Sequence, residues 1–399
     1  MEFIYPFLNY LQPGIFWPEL AVYKPMLLIS LVAGIASMRR GRKLEAHLAA
    51  QYFRQPAFFW MCCFLMVETI SVYYSGVLTM LEKFQFWDVF AIFAVISLLL
   101  IRDATALRRY IWGTILGSAF VIYYAIYAVI VRTPYIVYQG GRAGAYGMYA
   151  NQNDYSFIII MALPFAYLYL RTCRSFWQKL ILLSVIVGGV VGVMLSLSRG
   201  GILALVLEFL LLVGVTMRGG RRVLVLGVMA TLGAGAAIHL FAARAANEAG
   251  YYTLKDSEDT RFQLWHAAVA VFEAHPILGV GSDRFAEFAY QYAPISRDDK
   301  GKVAHNTYLE VAADTGILGL GSFLLMLKAI WKSVKDASLE GSTGDGIVEA
   351  RLAAKVMFLG LLFRAGFDAK EADWSFYLLV IVSIATSSLL RLTKSGSVA

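Results

Sequence analysis

Long apolar runs separated by short polar or charged connections recur along the whole chain. A helix rises about 1.5 Å per residue and a bilayer core is roughly 30 Å thick, so runs of this kind read as membrane-crossing helices. Eleven are expected, at 19–37, 56–80, 86–101, 107–131, 154–170, 178–197, 200–217, 222–243, 309–331, 350–367 and 374–391. The stretch 3–17 is apolar too, but Pro6, Pro13 and Gly14 break it, which leaves it as a twelfth, short or re-entrant segment held by neighbouring helices. The fold class is therefore all-α: a polytopic bundle of 11–12 helices. Its organisation divides into an N-terminal bundle (1–243), one long loop (244–308) and C-terminal helices (309–399). No internal repeat is visible.

Composition sharpens this picture. The 399 residues are 59% hydrophobic and 16% charged, against roughly half and a quarter in soluble globular domains, so a soluble enzyme, a disordered chain and a fibrous chain are all disfavoured. The net charge of +8 reads as topology rather than as a nucleic-acid footprint, because Lys and Arg collect in cytoplasmic loops. Alternate connections carry them: Arg39, Arg40, Arg42, Lys43 and Arg54; Arg102, Arg108 and Arg109; Arg171, Arg174 and Lys179; Arg218, Arg221 and Arg222; Lys328, Lys332, Lys335, Arg351 and Lys355; Arg391 and Lys394. That side is expected to be cytoplasmic, together with the C-terminus. The loop 132–153, the turn Ser198–Gly201 and the loop 244–308 then face outward. The start, MEFIYPFLNY, has an acid where a cleavable signal peptide has a basic segment. Cys62, Cys63 and Cys173 form neither a disulfide framework nor a metal-ligand spacing and read as inert thiols.

The long loop has readable architecture. Asp259 or Thr260 can cap a helix over 261–275, with Leu264, Trp265, Ala268, Val271 and Phe272 on its apolar face; Pro276, Gly279 and Gly281 stop it. Residues 282–304 read as loop with a short helical piece.

Three outward residues could carry chemistry. Arg199, in SLSRGG, is either a snorkelling arginine marking a helix end or an anion clamp beside a glycine turn. Arg261 stands at the start of the loop helix, where its own charge is disfavoured by the dipole; a bound anion or pairing with Asp256, Glu258 or Asp259 would each explain it. His305, in AHNTYLEVAADTG, can accept a proton near neutral pH, with Asn306 and Glu310 close enough to orient it; the other reading is an interfacial capping histidine. Two bidentate cations and one proton acceptor on one face suit an anionic leaving group and a hydroxyl nucleophile, such as transfer from a pyrophosphate. The outward segments show no Asp/Glu cluster suited to a metal. The loop QGGRAGAYGMYANQND, with Arg142, Tyr146, Asn151 and Asn153, either lines a sugar or phosphate site or is a loop over the bundle. Glu68, Asp88 and Glu208 are acids inside spans; they read as proton-relay groups, as partners of an Arg or Lys, or as groups near an interface, and Asp88 is close to a helix start, where an acid is favourable.

Four segments in order, AGAYGMYANQNDYSFIIIMALPFAYLYL, MLSLSRGGILAL, DTRFQLWHAAVAVFEAHPILGVG and AHNTYLEVAADTGILGLGSFLLML, resemble the bacterial O-antigen ligase and polymerase superfamily of membrane glycosyltransferases. The resemblance spans about residues 143–327, and helix count alone extends it to the first 130 residues. It departs from the family pattern at NQND, where Gln152 stands in place of a proline. It implies a bundle of about twelve spans in the bacterial inner membrane with a periplasmic loop over a lipid-accessible cavity. It also implies metal- and cofactor-independent, inverting transfer of a glycan from undecaprenyl pyrophosphate to an acceptor hydroxyl. The acceptor would be lipid A-core for a ligase, or a lipid-linked glycan for an O-antigen or exopolysaccharide polymerase. By the same resemblance Arg199 and Arg261 hold the donor pyrophosphate, and His305 deprotonates or orients the acceptor. A lipid-linked glycan flippase or exporter is the rival class. A transporter places its ionisable groups near mid-membrane, whereas this constellation sits at an edge.

Overall fold

The computed structural model describes residues 1–17, 19, 25–38, 43–74, 80–131, 142–217, 219–228, 231, 233, 235, 238, 254–293, 295, 301–339, 345–369 and 373–394. Its helices are α1 (Ile4–Leu11), α2 (Pro13–Phe16), α3 (Pro25–Met38), α4 (Lys43–Phe53), α5 (Pro56–Tyr74), α6 (Met80–Leu100), α7 (Ala104–Val131), α8 (Gln152–Thr172), α9 (Phe176–Ser196), α10 (Arg199–Thr216), α11 (Leu254–Ala274), α12 (Phe285–Tyr292), α13 (Thr307–Val334), α14 (Ile347–Ala365) and α15 (Trp374–Lys394). Among the described residues, α5, α7, α8, α9, α10, α13 and α15 are long and apolar enough to cross a membrane. The protein is a polytopic helical membrane protein. The expected span 222–243 and residues 244–253 of the long loop lie wholly or largely outside the described residues.

Two further expected spans are helical but more polar. The apolar part of α6 is Val89–Leu100. Helix α14 carries Glu349, Arg351, Lys355 and Arg364, and buries Glu349 and Arg364 almost completely. Protein rather than lipid surrounds those charges, as intramembrane ions require. α8 and α15 form the centre of the bundle, with about four-fifths of their apolar windows inside the protein, whereas the other spans turn a broad face outward. The segment 3–17 is not a span. It forms α1 and α2, joined at Gln12 in the left-handed region (φ 48°). α1 lies against α7, where Gly113 and Gly117, four residues apart, leave room for Phe3, Pro6 and the Tyr10 ring. Small residues at this spacing are a common way for helices to approach closely in lipid.

The loop helix starts earlier than expected. α11 begins at Leu254, so Asp259 and Thr260 are interior positions rather than caps, and Arg261 lies two turns in. The dipole argument for Arg261 therefore falls, since that effect fades within the first turn. Of the expected apolar face, Leu264, Ala268 and Val271 are buried with Phe285 and Ala289 of α12, Val280, Ala304, and Ala313 of α13, while Trp265 and Phe272 are partly exposed.

Helix α13 is interrupted at Gly316 (φ 64°, ψ −160°). The chain that follows α11 is laid into the break. Ile317 N donates to Pro276 O at 2.8 Å, while Val280 N and Gly281 N donate to Ala313 O and Asp314 O at 3.0 Å each. The freed carbonyls and amides of a broken membrane helix are thus satisfied by protein. A side chain at Gly316 would strike the backbone of Ile277, and one at Gly279 (φ 65°) the backbone of Asp314.

Gly316→Ala should therefore destabilise the protein by at least about 1–3 kcal/mol, the order of strain of a forced backbone conformation. Thermal melting in detergent checks this: a clear drop in the midpoint is expected, and an unchanged midpoint would show that the break is not a tight junction.

Candidate functional site at one end of the bundle

Two of the motifs singled out in the sequence are helix starts, and both are built alike. SLSRGG begins α10: Leu197 takes a left-handed conformation (φ 46°), Ser198 is extended, and its Oγ accepts from Gly201 N at 3.2 Å. AHNTY begins α13: His305 is left-handed (φ 52°), Asn306 is extended, and its Oδ1 accepts from Tyr308 N at 3.0 Å and Leu309 N at 3.2 Å. Ser and Asn are favoured caps because they satisfy amides that lack a partner in the helix. The left-handed residue before each cap is costlier, at roughly 1–2 kcal/mol for a residue with a side chain. A third start, that of α8, is capped by Asn151, whose side chain accepts from Asn153 N at 2.8 Å.

One buried arginine draws these three starts together. Arg364, near the end of α14, is 1% exposed. Its Nη2 donates to Asp368 Oδ2 at 3.0 Å and to Asn153 O at 3.1 Å, and its Nη1 approaches Ser198 Oγ at 3.4 Å. Ser198 Oγ in turn donates to Asn153 Oδ1 at 2.8 Å. The Gly200 α-carbon has no side chain to crowd Nη1. Asp368 turns its other oxygen towards the histidine: Oδ1 lies 3.7 Å from His305 Nδ1, a buried atom with no hydrogen bond of its own. Thr307, the first residue of α13, donates from Oγ to Asp368 O at 2.7 Å, and Asn306 Nδ2 donates to Gly366 O at 3.4 Å. The starts of α8, α10 and α13 and the end of α14 therefore meet at one end of the bundle. The starts of α8 and α10 meet at the buried guanidinium, and Asp368 stands between that guanidinium and the partly exposed His305 imidazole. Helix starts favour an anion, while Asp154, Asp368 and Asp373 place negative charge around the same guanidinium.

The sequence-derived candidates divide on this geometry. His305 is in the network. Arg199, half-buried, is the first residue of α10, immediately after Ser198. Arg142 joins through its guanidinium, donating to Ser196 O at 3.1 Å and Asn153 Oδ1 at 3.3 Å. Arg261 lies on α11 one turn before Trp265, whose Nε1 donates to Ala304 O at 2.9 Å, next to His305. Asn306 and Glu310, expected beside the imidazole, have roles in the turn itself. Asn306 caps the helix, and Glu310 accepts from Ala304 N through Oε2, so both shape the turn while Asp368 faces the ring. Tyr146 is buried among Phe16, Tyr124 and Tyr149 and donates to Tyr10 O at 3.0 Å, which places it in packing. Of the other histidines, His47 pairs with Gln51, His266 with Phe262 O and His275 with the Tyr292 hydroxyl, while His239 lies outside the described residues.

Arg364 and Asp368 are additions from the structure. The signal was present as RAGFD, an Arg and an Asp four apart at the end of a span, the spacing of a same-face helical pair. Of the span acids, Glu68 and Glu208 are buried; neither Glu208 oxygen has a hydrogen-bond partner among the described residues, which removes pairing with a Lys or Arg from its alternatives there. The Asp88 side chain lies outside what is described. Among the described residues no three His, Cys, Asp or Glu side chains are grouped to hold a metal ion.

Residues 182–324 match the family model described as O-antigen ligase. No curated protein matches the chain. The matched span runs from α9 to the upper part of α13 and contains Arg199, Arg261 and His305; Asn153, Arg364 and Asp368 lie outside it. The match supports the O-antigen ligase and polymerase family and, with the membrane helices, a function of that general type.

A buried ion pair with one partner removed typically costs about 3–5 kcal/mol, whereas removing both can be nearly neutral. Arg364→Met should therefore lower the melting midpoint sharply, and Arg364→Met combined with Asp368→Asn should recover much of it. Melts of both variants in detergent check this, and equal losses would show that the pair is not coupled.

Proposed function

We propose that this protein is a glycosyltransferase of the O-antigen ligase type. It moves a glycan from undecaprenyl pyrophosphate to an acceptor hydroxyl, lipid A-core first among the acceptors, on the periplasmic side of the bacterial inner membrane. The observation that carries the reading is the His305–Asp368–Arg364 chain, set where three helix starts meet and beside Arg199. Acyl- and glycosyl-transfer bases work best when a second group fixes the ring and balances the charge it gains.

In this mechanism the acceptor O–H gives its proton to His305 Nε2, while Nδ1 faces the Asp368 carboxylate. The 3.7 Å approach between Nδ1 and Asp368 closes as the ring becomes cationic. The acceptor oxygen forms a bond to the anomeric carbon, and the bond from that carbon to the pyrophosphate oxygen breaks. The pair of electrons leaves with undecaprenyl pyrophosphate, whose charge Arg199 and Arg261 take up with planar, bidentate donors. Attack from the face opposite the leaving group inverts the anomeric centre. No step in this scheme calls for a metal, and Arg364 stays behind the base and away from the substrate.

The test is a reconstituted reaction of purified protein with undecaprenyl-pyrophosphate glycan, with and without lipid A-core, in EDTA. A gel shift of lipid A-core is expected. His305→Ala should lose transfer by at least about 100-fold while remaining folded, because a positioned general base contributes about that much or more. Arg199→Lys should lose about 10-fold or more, since one ammonium replaces a bidentate donor to the developing charge. Longer lipid-linked chains without added acceptor would instead mark a polymerase. Movement of the lipid-linked glycan between leaflets without chemical change would overturn the enzyme reading, and unaltered turnover in His305→Ala would remove the mechanism.

A further inference from the structure

Two turns below the His305 end of α13, a carboxylate does work the transfer mechanism does not use. Asp314 is almost fully buried, inside a membrane helix and two residues before the break at Gly316. Its Oδ2 accepts from Asp283 N at 2.8 Å, and its Oδ1 from Phe285 N at 2.7 Å and Arg284 N at 3.2 Å. It thereby caps α12 from another helix, at the end where a negative charge is favoured. Its backbone takes part too, since Asp314 O accepts from Gly281 N, and Ser71 Oγ of α5 lies 2.7 Å from Leu278 O and 2.8 Å from Asp314 O. One residue thus ties together α5, α13, the chain 276–284 and α12.

That junction sets where α11 stands. The chain 276–284 follows α11 directly, and α11 contacts the catalytic turn through Trp265 and Ala304. Arg261 is one turn from Trp265 on the same helix, about 6 Å along the axis. We propose that Asp314 is a positioning residue that holds α11, and with it Arg261, at the height of His305. The proposal rests on the functional reading above for what Arg261 and His305 do. Ser71 anchors the junction to the bundle, so loosening Asp314 frees α11 and α12 while leaving the spans in place.

The test uses the full-length protein with Asp314→Ala and Asp314→Asn, the second keeping one acceptor oxygen. Asp314→Ala should lower kcat about 10- to 100-fold, the scale of a small misplacement at a reacting centre, with little change in KM for the acceptor. Asp314→Asn should restore part of the loss. Hydrogen exchange is measured on the same samples: amides of 264–274 and 283–289 should exchange faster in Asp314→Ala, and those of 152–172 and 374–394 should not. Faster exchange with kcat unchanged would make Asp314 structural only and overturn the proposal, as would unchanged exchange or a uniform rise across the spans. If wild-type protein shows no transfer, the functional reading fails by itself. The exchange pattern then judges the positioning alone: local loosening supports it and no loosening overturns it.

Discussion

An arginine enclosed by apolar helices must be paired and hydrogen-bonded or it destabilises what surrounds it. Arg364 meets most of that demand through Nη1 and Nη2, with groups from three other places in the chain: Asn153 at the start of α8, Ser198 at the start of α10, and Asp368 beyond its own helix; its buried Nε has no hydrogen-bond partner among the described residues. Because the guanidinium is planar and its donors are fixed in direction, these groups cannot drift independently. The cluster of helix starts is a consequence of satisfying one buried charge. The position of His305 follows in turn, since Asp368 faces both Arg364 and the imidazole.

A second junction lies deeper, at the break in α13. There the solution to a different problem, unsatisfied backbone in a membrane helix, joins the loop helices to the bundle. Together the two junctions bring residues as far apart in sequence as 142, 198, 305 and 364 to one end of the protein and set α11 against the turn at Ala304. Neither depends on flexible side chains at the surface. Both use helix ends, whose free amides and carbonyls are strong, directional groups.

The hydrophobic pattern made the helices legible, and the polar breaks within it made two of the three site motifs legible as helix starts. SLSRGG and AHNTY stand out because a small polar cap precedes an apolar run. What escaped was whatever depends on contacts between distant segments. Arg364 is separated from Ser198 by more than 150 residues, so nothing local to the span 350–367 marks it as part of the site. Asp314 and Gly316 sit in an unbroken apolar periodicity, which favours a continuous helix until the inserted chain 276–281 is seen. The start of α11 escaped for the opposite reason: residues 254–260 are too polar to show an apolar face, yet they are helical. The contacts of Tyr146 with Tyr10 O and of Glu310 with Ala304 N likewise join segments that residue type alone does not connect.

The central claim is that the end of the bundle around His305 receives the pyrophosphate lipid. Diethylpyrocarbonate labelling read by mass spectrometry, with and without undecaprenyl pyrophosphate, tests it most directly. The ring of His305 is partly exposed, and His266 and His275 are exposed controls on or next to α11. The account predicts that the lipid protects His305 while labelling of His266 and His275 stays the same. Equal labelling of His305 in both samples would contradict it and place the lipid elsewhere on the protein.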